Sequence, residues 1–191
     1  MLKELAKKNR SYRGYDESRK ISRDELLELV DCARYAPSSV NRQPFKYLLA
    51  YKQEDLDKIQ PLTGWARALP QMSLPHPGKR PTAFIVICQE TEWDADLKRY
   101  LRDVGIVAQT ILLAAVEKDL GGIMIGNFSP EKIAKALELT EHIVPMLIVA
   151  LGKPDEQIVL TEIEDGENIE YYRDDQDIHY VPKRKLKDIV I

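Results

Sequence analysis

Two segments of this chain have no polar face. Ala83-Phe84-Ile85-Val86-Ile87-Cys88 and Val144-Pro145-Met146-Leu147-Ile148-Val149-Ala150-Leu151 run without one charged side chain. Successive side chains on a strand point to opposite sides, so strands of this composition must be covered on both. The fold therefore needs a buried sheet with helices packed against it. Ser22-Arg23-Asp24-Glu25 is a capping box, Ser at the cap and Glu three residues later. Behind it Leu26, Leu29, Val30 and Ala33 repeat at helical spacing until Pro37. Residues 2–8 and Glu54–Gln60 predict short helices, and Ser129-Pro130 opens another that runs to Leu139.

The longest periodic segment is Asp96 to Asp119. Leu97, Tyr100, Leu101, Val104, Val107, Ala108, Ile111, Leu112 and Ala115 form one broad apolar face, with Gly121 and Gly122 placed to cap it. At ~1.5 Å per residue such a helix crosses a whole domain. Phe45–Tyr51 and Gly122–Gly126 read as further strands. Residues 61–81 carry five prolines and Trp65; a connection this long is a lid, a binding loop or a plain surface crossing.

A length of 191 residues supports one domain with a substantial core. A net charge of −3 gives no global basic field for nucleic acid or an anionic membrane. No apolar run approaches the ~20 residues that span a bilayer, and Met1-Leu2-Lys3-Glu4-Leu5 lacks the apolar core of a signal peptide. Cys32 and Cys88 sit in apolar patterns and read as buried thiols, so a reducing cytoplasm is the expected compartment. No Gly-x-Gly-x-x-Gly follows a strand, and no Gly-x-Ser-x-Gly elbow is present. His76, His142 and His179 are isolated from one another and from cysteine, so no metal site is expected, and each reads as a surface or satisfied core residue. From Asp155 to Asp177 ten acids face one base, Arg173. Positive charge returns at Lys183-Arg184-Lys185, and the chain ends on Ile189-Val190-Ile191. The expected division is a core over 1–154 and a C-terminal arm over 155–191 that completes the same domain.

Two polar stretches carry the chemistry. Ala36-Pro37-Ser38-Ser39-Val40-Asn41-Arg42-Gln43-Pro44 closes a helix and opens a strand, with two prolines, two hydroxyls, two amides and no acid. The prolines stiffen the corner, and Ser, Asn and Gln can give and accept hydrogen bonds around an uncharged polar ring; the same residues also make ordinary capped turns. Upstream, Asn9-Arg10-Ser11-Tyr12-Arg13 sets two guanidinium groups beside a hydroxyl, a pattern suited to phosphate.

In order and spacing, Arg10, Ser11, Arg13 and Ala36, Pro37, Ser38, Ser39, Asn41, Gln43, Pro44 resemble the nitroreductase family of flavin enzymes. The resemblance implies an α+β fold with a mainly antiparallel sheet flanked by helices. It also implies a homodimer in which the 155–191 arm and the long central helix take part. The cofactor would be FMN, which carries the redox chemistry, so no catalytic side chain is expected. NAD(P)H would reduce it and leave before a nitroaromatic, quinone or flavin-like acceptor enters, a ping-pong cycle. By resemblance Arg10 and Ser11 hold the phosphate and ribityl side, and Arg13 approaches the pyrimidine edge. Lys183 and Arg184 complete the phosphate site, and the backbone at Met124, Ile125 and Gly126 lies along the ring. Pro37, Ser38, Ser39, Asn41 and Gln43 would reach the flavin bound mainly by the other subunit. Asn9 departs from the pattern, since many members carry another arginine there. A non-enzymatic flavin carrier, or a relative running another flavin reaction such as dehalogenation, remains compatible with the same residues.

Overall fold

The computed structural model describes residues 2–191. Its centre is β3 (Ala83–Glu90), buried at every position through Gln89. β3 pairs antiparallel with β2 (Phe45–Ala50) on one side and β5 (Ile143–Pro154) on the other. β5 in turn pairs antiparallel with β4 (Gly121–Ile125), and its end pairs with the two-residue β1 (Tyr15–Asp16). The strand alternation sorts the core into two layers. Ile85 and Ile87, with Val149 and Leu151, pack against α2 (Arg23–Ala33) and α4 (Leu101–Glu117) through Leu26, Leu29, Ala108, Ile111 and Ala115. Phe84, Val86 and Cys88, with Ile148 and Ala150, face α3 (Gln53–Ile59) and α5 (Pro130–Ala136) through Leu56, Ile59 and Ile133. An all-apolar strand is thus covered on both sides, as its composition demands. The α+β class and the antiparallel main sheet agree with the sequence reading.

The capping box forms: Ser22 Oγ accepts from the Glu25 N–H at 3.2 Å, and the Glu25 carboxylate accepts from the Ser22 N–H at 2.9 Å. The long helix differs from expectation at both ends. It starts at Leu101 because Asp94 and Asp96 accept from the backbone N–H of Asp96 and Lys98, at 3.0 and 2.9 Å, and these local turns compete with helix. At its other end Asp119, not a glycine, takes the left-handed conformation (φ 55°). Gly121 and Gly122 belong instead to β4. A Cβ there would lie 2.5 Å from the Tyr12 ring and 2.3 Å from the Ala150 carbonyl oxygen, so only glycine admits both neighbours. Cys88 is buried, but Cys32 lies on the exposed side of α2, whose buried stripe is Leu26, Leu29 and Ala33.

Residues 155–191 build a second, smaller sheet. β6 (Ile158–Ile163) runs parallel to β8 (His179–Arg184), and β7 (Tyr172–Arg173) pairs antiparallel with β8. The 61–81 stretch is tied to the body: Thr63 bridges Phe128, the Gly64 N–H donates to the Asn127 carbonyl at 2.7 Å, and Leu69 is buried. Among the described residues no helix is long and apolar enough to cross a membrane.

Candidate functional site

α1 (Leu2–Lys8) delivers the Arg10–Arg13 loop onto the outer edge of β4. Ser11 bridges Gly122, and the Tyr12 N–H donates to the Gly122 carbonyl at 3.2 Å. Gly121 is therefore what lets the basic loop lie flat on the sheet, since a Cβ there would meet the Tyr12 ring. Across from it stands the β6–β8 sheet. Between them opens a cleft of about 490 Å³ whose lining includes Arg10, Ser11, Arg13, Gln109, Met124 and Lys183. Such a volume suits a small-molecule ligand. Leu112, Ile158 and Val181 supply apolar wall.

The electrostatics are one-sided. Among the described residues three cations and a histidine line the cleft, and no acid does. Arg13 is 7% exposed; its guanidinium lies 4.8 Å over the Tyr171 ring and donates to the Ser11 carbonyl at 3.0 Å. Burial lowers the Arg13 pKa, an effect opposed by Tyr171 and Glu156, and burial likewise lowers that of Arg10; both stay cationic. Glu156 does not neutralise the Arg13 side chain. One of its oxygens accepts from the Arg13 backbone N–H and the other from Arg173.

Eight buried side-chain nitrogen and oxygen atoms lack a hydrogen-bond partner among the described residues. Four of them belong to residues of this cleft: Arg10 Nε, Arg13 Nε, and both ring nitrogens of His179. Buried polar atoms are normally paired, so orphans gathered in one wall mark a place where a polar ligand supplies the missing partners. Sequence reasoning set His179 aside as isolated. The structure gives that expectation for His76, which pairs with Asp177 at 3.3 Å, and for exposed His142, but not for His179. Gln109 was also missed, being one polar residue at the rim of a long apolar helix.

The remaining expected residues divide. Met124 faces the cleft, whereas the Ile125 side chain packs into the α3/α5 core and Gly126 has open space at its Cβ position. On β8 the alternation puts His179, Val181 and Lys183 on the cleft side. Arg184 therefore turns away and pairs with Asp165 at 3.0 Å. The Pro37–Gln43 corner lies apart: Pro37, Ser38 and Gln43 line a separate pocket of about 180 Å³ with Tyr47, Asp103 and Val107.

That corner is held by an acid its own sequence lacks. Asp103 of α4, 3% exposed, accepts from Ser38 Oγ at 3.1 Å, the Ser39 N–H at 2.7 Å and Ser39 Oγ at 2.8 Å. Both hydroxyls are thus engaged inside the chain, which leaves Asn41 and Gln43 as the outward amides. Val40, Asn41 and Gln43 sit at φ 47°, 53° and 50°, a conformation that costs a non-glycine residue about 1–3 kcal/mol. Among the described residues no group of three or more His, Cys, Asp or Glu is placed to hold a metal.

A model of the nitroreductase family matches residues 6–153. The chain is 29% identical to an NADH dehydrogenase/NAD(P)H nitroreductase of Archaeoglobus fulgidus, covering 83% of this chain and 88% of that protein. A protein of the same name from Methanothermobacter thermautotrophicus is 26% identical, over 87% of this chain and 84% of its own length. The fold also matches a nitroreductase of Exiguobacterium sibiricum solved in complex with FMN, with a TM-score of 0.66 and 21% identity over 81% of this chain and 88% of that one.

Proposed function

Because this chain belongs to the nitroreductase family, we propose that it is an FMN-dependent oxidoreductase, taking electrons from NAD(P)H and passing them to a small oxidised acceptor by a ping-pong cycle. The observation that carries this reading is the cleft itself: among the described residues, three cations, no acid and four orphaned buried nitrogens, in a chain whose net charge is −3. FMN has one phosphate to meet the cations and a ribityl chain of hydroxyls to meet the orphaned donors, so the residues present fit it. Bound there, the flavin supplies the hydride and electron chemistry.

This chain's own residues bind and orient. Arg10, Ser11 and Lys183 hold the phosphate end, and Leu112, Met124 and Val181 give the ring an apolar bed. Arg13, fixed by Tyr171 and the Ser11 carbonyl, keeps a cation over the site and favours an anionic reduced cofactor by Coulomb attraction. The acceptor is a nitroaromatic, quinone or flavin-like molecule. The second motif lies in a different pocket of the same chain, which supports a homodimer in which the Ser38–Gln43 corner of one protomer faces the flavin of its partner.

The test is spectroscopic. The purified protein should carry FMN, identified by mass spectrometry of the released chromophore, and anaerobic NADH or NADPH should bleach its flavin absorbance. Failure to retain FMN after incubation would refute the cofactor assignment. A flavin that neither nicotinamide reduces would make the protein a carrier.

A further inference from the structure

We propose that His179 is a further cofactor-binding residue of this cleft, which hydrogen-bonds an anionic oxygen of the flavin's phosphate-bearing chain and takes up a proton as the cofactor binds. This rests on the FMN reading and extends it to a residue outside both motifs.

Three observations carry it. His179 is 2% exposed, yet among the described residues neither Nδ1 nor Nε2 has a partner. A buried imidazole with both nitrogens idle forgoes hydrogen bonds it would make in water, a cost rarely left standing. Second, the ring belongs to the cleft wall, on the same face of β8 as Val181 and Lys183. The Tyr171 ring meets it edge-on at 5.2 Å and fixes its plane. Third, its charged surroundings are already committed. Arg13 approaches from the N-terminal loop, Arg10 lines the same cleft, and Arg173 stands on β7. Lys183 lies four residues further along β8, on the same face. Of the acids, Glu156 is used by the Arg13 backbone and Arg173, and Asp177 by Arg173 at 2.8 Å and His76 at 3.3 Å. Among the described residues no carboxylate accepts a hydrogen bond from the imidazole.

In flavin-free protein the ring is therefore neutral. Burial, then Arg13 and Arg173, push its pKa down to about 4 against a smaller upward pull from Asp177. A phosphate held by Arg10, Ser11 and Lys183 brings negative charge into the cleft that His179 lines and opposes the field of the arginines. The ring then binds a proton from solvent and presents a charged donor where it had a neutral one. The linkage has a definite sign. Binding raises the His179 pKa, so below the raised value the cofactor binds more tightly than above it, and between the two values each binding event consumes part of a proton. The phosphate's own second ionisation, at about 6, opposes this trend in every variant. The difference between wild type and a His179 variant isolates the ring.

The test is calorimetric titration of flavin-free protein with FMN, in buffers of different ionisation enthalpy, for wild type and His179→Gln. The expected result is about 10- to 100-fold weaker FMN binding in the variant, a smaller proton uptake, and a much smaller loss for riboflavin, which lacks the phosphate. Equal FMN affinity and equal proton uptake in the two proteins would overturn the proposal. Should His179→Gln fail to fold, magnetic resonance of isotope-labelled histidine in the wild type decides: the His179 ring must titrate at higher pH with FMN than without, and an unmoved titration refutes it. Wild type that takes no FMN at all brings down the flavin reading first and this inference with it.

Discussion

Asp103→Ala should loosen the Ser38–Gln43 corner more than any other single change outside the corner. The carboxylate accepts three hydrogen bonds while almost wholly buried. Hydrogen bonds to a charged acceptor contribute about 1.5–3 kcal/mol each, but the three cannot simply be added. Ser38 and Ser39 lie at the surface and can turn to water once released, and freeing the corner also relieves the left-handed residues Val40, Asn41 and Gln43. A net loss of about 2–4 kcal/mol remains, which for a chain of this size lowers Tm by about 4–16 °C. Asp103→Asn keeps shape and one acceptor and should lose about half as much.

The pH dependence has a definite sign. Burial raises the Asp103 carboxyl, but the Ser39 N–H and the Ser39 and Ser38 hydroxyls together outweigh it and hold its pKa below the usual carboxylate range. A depressed carboxylate contributes stability above its unfolded pKa and loses it as pH falls through the folded one. The gap between wild type and Asp103→Asn should therefore be full at neutral pH and close in acid. Calorimetric melting gives the global number, and hydrogen exchange at the Ser39 amide reads the bond directly. An Ala variant with unchanged Tm and an unchanged Ser39 exchange rate would refute the reasoning.

Two further outcomes test other parts of the fold. Arg173→Met strands the buried Glu156 carboxylate and should cost about 3–5 kcal/mol in urea unfolding, much of which returns in the Glu156→Gln/Arg173→Met double variant; additive losses would show that the pair is not coupled. A thiol reagent should titrate only Cys32 in the native protein, since Cys88 is buried with its thiol pushed up to about 12, and should reach both cysteines in denaturant; two fast thiols in the native state would contradict the core described for β3.

What the sequence made legible was local. The capping box at Ser22 and Glu25, and the two-sided burial of residues 83–88, each follow from a few adjacent side chains. What it hid depends on distant partners. Apolar periodicity ran back through Leu97 and Tyr100, but the Asx turns at Asp94 and Asp96 capture that backbone first. A glycine pair after a helix reads as a cap, whereas Gly121 and Gly122 are required by Tyr12 and Ala150. The corner at 36–44 contains no acid, so nothing local predicted that Asp103, 65 residues beyond Ser38, would bind both of its serines. Only one signal was available for it: an acid set among apolar residues on a buried helix face.

The acid-rich C-terminal segment, read as an arm, makes electrostatic sense only against the cleft. Ten acids beside one base would ordinarily be a solvated run. Here the single base is buried: Arg173 and Glu156 have side chains 3% and 4% exposed and pair with each other. Their pairing spends the one buried carboxylate near the cleft on a guanidinium outside its lining and on a backbone N–H. Outlying acids are answered by Lys79, Arg184 and Lys185 on the outer surface. Arg10, Arg13 and Lys183 are left without a carboxylate among the described residues. An acidic segment can therefore wall a cationic site without quenching it, provided its buried acid is pinned by a partner from within. The positive charge that an anionic cofactor would meet is preserved by where Glu156 is directed rather than by an excess of basic residues.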